Sequence, residues 1–358
     1  MSNVARDTIW PTDPDILVRV VVLYVGQGNS ALVLAADGDT YKTMLVDINL
    51  DPGAGGIDVP VLVKDLLDGE ALPVFTNTHP HSDHLCGVLE LDEAVTINEV
   101  RHSGHVPGSD DCAAYDNLQT VIANVTDNGG TEVELKGSDS SEVFGDAELY
   151  VLAPAKHVKD DISDETDEVR RQRIHEHCAV LRVGSGETWI MIPGDADREA
   201  WEIHITDHHA ERLPSQVFLA PHHGSRSFFY KAEDEKYENP YLDALDTINP
   251  TWVIVSAPTQ EESRHDHPHD EAMEHYVNKV GEANVLHTGA ERHSYICDIF
   301  RDGTCTVTPD DGALSEAYPY DPDSDDDDDG GSKEAKGGPS VFTPPPANVR
   351  KSQGFASA

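Results

Sequence analysis

The chain has 358 residues, 38% of them hydrophobic, and 67 acids against 25 bases give a formal net charge of −42. That length buries a substantial core in one large domain or two small ones, while that charge repels nucleic acid at low salt, because phosphate contacts are made by Lys and Arg. No stretch reaches the ~18 apolar residues of a membrane span, no apolar signal core opens the sequence, and the five cysteines show no CxxC spacing, which excludes a disulfide framework and a Cys-based zinc site. The expectation is a cytoplasmic protein with buried, reduced thiols and an acidic surface of the kind that keeps a protein solvated in high salt.

The apolar, β-branched run 16–24 predicts a buried strand, with a tight turn at Gly26-Gln27-Gly28. Strands over 30–36 and 41–47 flank a hairpin turn at Asp37-Gly38-Asp39. Residues 51–56 read as loop. A helix is predicted over 58–67, capped by Asp58, with Val59, Leu62, Val63, Leu66 and Leu67 on one face. The short strand 74–78 enters a loop, and a helix starts within 84–89. Strand 95–103 leads to His102-Ser103-Gly104-His105, two histidines placed to line a cleft. Ala114, Leu118, Val121, Ile122 and Val125 recur at helical spacing within 110–127, and Asn128-Gly129-Gly130 ends that helix.

Strands follow at 131–135 and 147–152. The charged stretch 156–173 lacks apolar periodicity and reads as an exposed insertion. Residues 177–183 and 188–192 form a hairpin across Gly184-Ser185-Gly186, and 198–209 is helical. Strand 217–220 ends on His222-His223-Gly224, and 225–241 reads as loop with helix. Strand 252–256, helix 270–280 and short strand 285–286 lead to a hairpin of 294–301 with 304–308 about Asp302-Gly303. Beyond Pro309 the composition shifts to Asp, Gly, Ser, Pro and Lys. The domain is therefore assigned to 1–310 and a disordered tail to 311–358.

The stretch THPHSDHLCG at 78–87 stands apart. His79, His81, Asp83 and His84 fall on one turn after a strand. Neutral imidazole and carboxylate are the ordinary ligands of zinc and related ions. Buried without a metal, each group needs a partner; protonated together, they repel.

HPHSDH resembles the His-x-His-x-Asp-His signature of the metallo-β-lactamase superfamily. YVGQGNS (24–30), PGD (193–195), PHHGS (221–225), NPTWVIVS (249–256) and His267-Pro268 follow in an order similar to the soluble hydrolase domain of the competence DNA-uptake protein ComEC and its free-standing relatives. The resemblance covers residues 15 to 308, with Tyr24 and Asn29 standing where that group carries acids. It implies an α/β (α+β) fold, the αββα sandwich of two sheets flanked by helices.

It also implies two divalent metal ions, zinc first, with manganese or iron(II) suiting the same ligands. His79 and His81 would hold the first metal, Asp83 and His84 the second, and Asp195 would bridge them. One of His222 and His223 would complete the second site, and the other would face the substrate as acid or anion contact. His175 and His177 both qualify as the further histidine, and the spacing of His177 before Asp195 suits the family. Asp47 would brace the histidine loop. His267, or the non-ligating member of the 222–223 pair, would protonate the leaving group, and Asp83 counts with them among the catalytic residues. Arg226 offers a phosphate a fork of donors.

The implied function is a metal-dependent hydrolase whose metal-activated water attacks phosphorus or carbonyl carbon. A phosphodiester is the leading substrate, as for a nuclease or phosphodiesterase, with nucleic acid disfavoured at low salt by the net charge. The alternatives are a small carbonyl substrate (lactone, thioester or β-lactam) and a non-catalytic interaction module whose acidic tail recruits a basic partner.

Overall fold

The computed structural model describes residues 3–50, 55–107, 112–231 and 237–321. Fifteen strands are formed there. In chain order they are β1 Ile16–Val22, β2 Ala31–Asp37, β3 Thr40–Val46, β4 Val74–Asn77, β5 Glu99–His102, β6 Thr131–Glu134, β7 Glu142–Phe144, β8 Ala147–Ala153, β9 Val180–Ser185, β10 Thr188–Ile192, β11 Val217–Leu219, β12 Trp252–Val255, β13 Val285–His287, β14 Tyr295–Phe300 and β15 Cys305–Pro309. They make two sheets, one in the order β15-β14-β1-β2-β3-β4-β5-β6 and one in the order β13-β12-β11-β10-β9-β8-β7. Both are mixed. β3 to β6 run parallel, as do β10 to β13.

Side chains alternate across a strand, and that alternation sorts the core into layers. Val18, Val20 and Val22 of β1 enter the space between the sheets and meet Leu181, Val183, Ile190, Ile192 and Ile254 of the other sheet. Val21 and Leu23 face the opposite way, onto a cluster with Leu62, Val63 and Leu66 of helix Val59–Leu67 and Leu118 and Val121 of helix Cys112–Asp127. On the outer face of the second sheet, Val180, Met191, Phe218 and Val253 pack on Trp201, Ile248 and Tyr276. Helix, sheet, sheet and helix thus follow in order, the sandwich expected from the sequence. Each Leu, Ile or Val fully buried this way contributes about 1.5–3 kcal/mol.

Several boundaries differ from the sequence reading. The stretch 156–173 is largely exposed, as read from the sequence, but it is ordered into helices Val158–Ser163 and Asp167–Gln172 that bury Val158 and Ile162. Such short helices show no apolar period in the sequence. The helix after the histidine loop does start within 84–89: it follows Gly87, at φ 100°, and spans Val88–Ala94. The strand predicted over 95–103 contracts to β5. Helix Val4–Ile9, strand β7 and helix Asp243–Ile248 were not foreseen. Cys86, Cys178, Cys297 and Cys305 form no disulfide, as expected, but Cys86 is exposed.

The expected tail begins too early. Helix Ala313–Ala317 follows β15, and Leu314 and Tyr318 join the core under the first sheet. Tyr318 Oη accepts from Ala5 N at 3.1 Å and donates to Asp65 Oδ2 at 3.1 Å. Two apolar anchors among acids and small residues leave little trace in composition. Residues 322–358 lie outside the described residues, as do 51–54, 108–111 and 232–236, which carried parts of the loop, helix and loop-with-helix readings. Among the described residues, no helix is long and apolar enough to cross a membrane.

Candidate metal centre

The C-terminal ends of β3, β4, β10, β11 and β12 converge on one edge of the sandwich. Asp47 follows β3, the histidine loop follows β4, Asp195 follows β10, the His222-His223 pair follows β11 and Ser256 follows β12. Open α/β sheets place ligands beyond strand C-termini, and here the chemistry gathers there.

Two groups of ligand atoms result. His79, His81, His175 and Asp195 have atoms within 4.8 Å of one another, and so do Asp83, His84, His223 and Asp195. In the first group, His81 Nδ1 lies 3.2 Å from His79 Nε2 and 3.3 Å from His175 Nε2. In the second, His223 Nε2 lies 3.3 Å from His84 Nε2 and 3.2 Å from Asp83 Oδ2. Asp195 belongs to both, with Oδ1 3.1 Å from His84 Nε2 and Oδ2 3.7 Å from His79 Nε2.

The outer partners of these rings decide what faces inward. His84 Nδ1 donates to Asp47 Oδ2 at 2.7 Å, and His223 Nδ1 donates to the Ser256 carbonyl at 3.0 Å. Neutral rings held in those tautomers turn bare Nε2 lone pairs toward each other and toward two carboxylates. Both oxygens of Asp195 are buried and receive no hydrogen bond of normal geometry. A buried carboxylate without donors costs several kcal/mol unless a cation meets it. The donor set therefore fits divalent metal.

The charges agree. Burial, then the neighbouring imidazoles, hold His79 and His175 well below the ordinary histidine range, in the neutral form that binds metal. At His84 and His223 burial has the same sense. The carboxylates reverse it, Asp195 with Asp47 at His84 and Asp195 with Asp83 at His223, which rises to about 9. A proton and a metal ion compete for those two lone pairs.

Local backbone explains the placement. His222 and His223 both adopt left-handed φ, 51° and 55°, and bring their Nε2 atoms to 3.7 and 3.5 Å of Asp195 Oδ2 with the rings near perpendicular. Such conformations cost about 1–3 kcal/mol each. They are held by the bonds His222 N to Gly194 O (3.1 Å) and Ser225 N to His222 O (2.8 Å). Gly28, in the early Gly-Gln-Gly turn, must be glycine: a Cβ there would lie 2.4 Å from the Asp83 carbonyl oxygen. That turn is a seat for the histidine loop.

Of the residues singled out in the sequence, His79, His81, Asp83, His84, Asp195 and His223 come together, and Asp47 braces His84. His222 stands beside them. Its Nδ1 is 3.0 Å from Ser227 Oγ, and its ring is 4.2 Å from that of His175. His267 approaches the same face, 5.1 Å from the His222 ring. Burial above all lowers both, His222 to about 4 and His267 to about 2. Both are then neutral at pH 7. A neutral ring still carries one N–H with which to hydrogen-bond a substrate oxygen.

His177 is not brought to the centre. Its Nδ1 lies 3.2 Å from His105 Nδ1, and His175 takes the place in the first group. Strand alternation would put both on one face, but residues 173–177 form turns ahead of β9, and the side chains diverge. His102 bonds Glu132 instead. Arg226 lines a surface cleft of about 290 Å³ with Gln260, Asp266, His269, Asp270 and Glu271, where acids outnumber it.

The turn carrying His175 is clamped by a residue the sequence reading overlooked. Glu176 accepts from Arg173 at 2.7 and 2.8 Å and from His204 at 2.9 Å. Burial would raise its pKa, but those hydrogen bonds and charges prevail and hold it at about 2, against 4.5. The folded value is the lower one, so the stabilisation is present above pH 4.5 and is lost as pH falls through about 2. Glu176→Gln is expected to lower stability by on the order of 2 kcal/mol at neutral pH. Urea melts from pH 7 downward should show that deficit shrinking below pH 4.5. A deficit independent of pH would contradict the clamp.

No protein-family model matches the chain, and no curated protein matches it. Solved structures do. An archaeal metallo-β-lactamase superfamily protein from Sulfolobus tokodaii is 13% identical, with 49% of this chain and 62% of that one covered at a TM-score of 0.26. The metallo-β-lactamase SMB-1, bound to 2-mercaptoethanesulfonate, is 12% identical over 74% of this chain and 92% of its own, at 0.29. The flavodiiron protein from Giardia intestinalis is 7% identical over 52% and 39%, at 0.29. The match thus spans less than two thirds of the archaeal and flavodiiron chains. The fold is mixed α/β with two sheets, and it carries a candidate metal-binding His/Asp cluster.

Proposed function

We propose that this protein is a metal-dependent hydrolase that holds two divalent ions, one by His79, His81, His175 and Asp195, the other by Asp83, His84, His223 and Asp195. The observation that carries the reading is the Asp195 carboxylate, shared by both groups and buried with only imidazole nitrogens facing it. Zinc is the first choice, and manganese or iron(II) suit the same ligands. Bound there, the ions would supply Lewis acidity, bringing the pKa of water from 15.7 to about 7 and offsetting negative charge that develops on the substrate.

The chain's own residues do the rest. Asp47 and the Ser256 carbonyl fix two histidine tautomers. His222, partly open to solvent, and His267 offer hydrogen bonds to a substrate oxygen at the mouth. The substrate proposed is a phosphodiester, on the order of motifs shared with the ComEC-type hydrolase domain. A lactone, thioester or β-lactam is the alternative. Acidic composition favours a small diester over DNA at low salt.

Metal analysis of purified full-length protein, then a panel of bis(p-nitrophenyl) phosphate, DNA and lactone, tests this. Protein that takes up no metal on reconstitution would refute the centre, and hydrolysis of lactone alone would refute the phosphodiester. Salt adds a sharper expectation. With a net charge of −42, protein and DNA repel, and the Debye length shrinks from ~10 Å at 0.1 M to ~3 Å at 1 M. DNA cleavage is expected to rise toward molar potassium chloride, with the small diester changing less. A steep fall would mean that a local basic groove dominates.

A further inference from the structure

We propose that Thr78 is a positioning residue that carries the Asp47 carboxylate to His79, so that one buried acid orients a histidine in each metal group. The inference rests on the metal reading above, and concerns how the chain holds its ligands.

Asp47 sits at the end of β3 with φ 56° and is buried. It is met by four donors. Oδ1 accepts from Thr78 N at 2.7 Å and Asn77 Nδ2 at 3.2 Å; Oδ2 accepts from Thr78 Oγ1 at 2.7 Å and His84 Nδ1 at 2.7 Å. A threonine hydroxyl has one proton. The carboxylate takes it, so toward His79 Nδ1, 3.2 Å away, Thr78 Oγ1 can only accept. The proton of the His79 ring then resides on Nδ1, leaving Nε2 bare. That nitrogen faces His81 Nδ1 at 3.2 Å and Asp195 Oδ2 at 3.7 Å.

Asp47 therefore reaches the second group directly through His84 and the first group through one hydroxyl. The competing acceptor for His79 Nδ1 is Cys178 Sγ, more distant at 3.7 Å and a weaker acceptor. Thr78 Oγ1 and His84 Nδ1 both donate to Asp47 Oδ2, so loss of the hydroxyl reaches the second group only through the carboxylate but removes the acceptor beside His79 outright. The Thr78 backbone N–H bond to Asp47 does not depend on the side chain, so an isosteric valine keeps the loop anchored.

Apo full-length wild type, Thr78→Val, Thr78→Ser and Cys178→Ala are titrated with zinc against a chromophoric chelator to obtain the stepwise binding constants. Circular dichroism and thermal melts of the apo forms accompany the titration. Loss of a partner behind a ligating histidine costs roughly 10–100-fold in metal affinity. Thr78→Val is expected to show that loss in one of two constants, with the other falling less and the apo fold retained by circular dichroism, and Thr78→Ser is expected to restore it. Wild type with two ions and Thr78→Val binding both equally overturns the relay alone. Equal weakening of both constants, or loss in Cys178→Ala in place of Thr78→Val, overturns it as well. Wild type that binds no zinc overturns the metal reading first.

Discussion

Replacing Asp195 by Ala is expected to leave less than one tightly held ion per chain, while His177→Ala keeps the wild-type complement. Asp195 is the one residue common to both ligand groups. Removing it leaves one group with three imidazoles and no carboxylate. It also removes negative charge from between two cations whose mutual repulsion scales with the product of their charges. Activity should fall with occupancy, by at least about 10²–10³, the loss typical of deleting one preorganised charge-stabilising group. His177 touches His105 and neither group, so its truncation should change occupancy little. Stability supplies the control. In chelator-treated protein protons take the place of the metal between Asp195 and the His84 and His223 rings, 3.1 and 3.5 Å away, so the apo melt measures how far Asp195 also anchors the unloaded fold. Elemental analysis and apo melting of both variants decide it: equal metal content would contradict the shared carboxylate, and an apo melt well below wild type would make Asp195 a structural residue.

The second large effect concerns the C-terminal segment. A chain ending at Asp310 should be far less stable than one ending at Asp321. The eleven-residue difference includes Leu314, fully buried, and Tyr318, 7% exposed. It also carries three anchors to the start of the fold: Asp58 N to Tyr318 O at 2.8 Å, Tyr320 N to Gly56 O at 2.9 Å, and the Ile57–Pro319 bridge. Emptying a Leu and a Tyr site costs about 2–5 and 3–5 kcal/mol, counting the aromatic like Phe. Total stability is about 5–15 kcal/mol. The shorter chain should melt at least about 10 °C lower or fail to fold. Identical melts would mean that Leu314 and Tyr318 pack without stabilising the domain.

The sequence exposed the fold through its longest apolar runs. Residues 16–24 alternate between two cores, and that alternation is what a strand between two layers requires. It exposed the histidine loop because four ligands sit on one turn. It left His175 and His177 undecided, because identity and spacing carry no record of where a turn points each ring. It left His222 and His223 undecided for the same reason: only the folded turn shows His223, and not His222, within reach of His84 and Asp83. Glu176, Thr78 and Cys178 were missed because each acts through a neighbour: Glu, Thr and Cys are commonplace in a sequence until the ligand they lean on has a position. Leu314 was missed because one leucine among acids is no pattern, yet one buried leucine can fasten a terminus.

The ligands are divided between the two sheets. His79, His81, Asp83 and His84 come from the first, and His175, Asp195 and His223 from the second. During synthesis the last of them emerges at residue 223, but the first sheet still lacks β14, which pairs with β1, and β15 beyond it. Any ion held by both groups would therefore be shared between the two layers, and its capture would require both layers to be seated. Such an ion would act as an inspector of finished product, held only where the two layers have met.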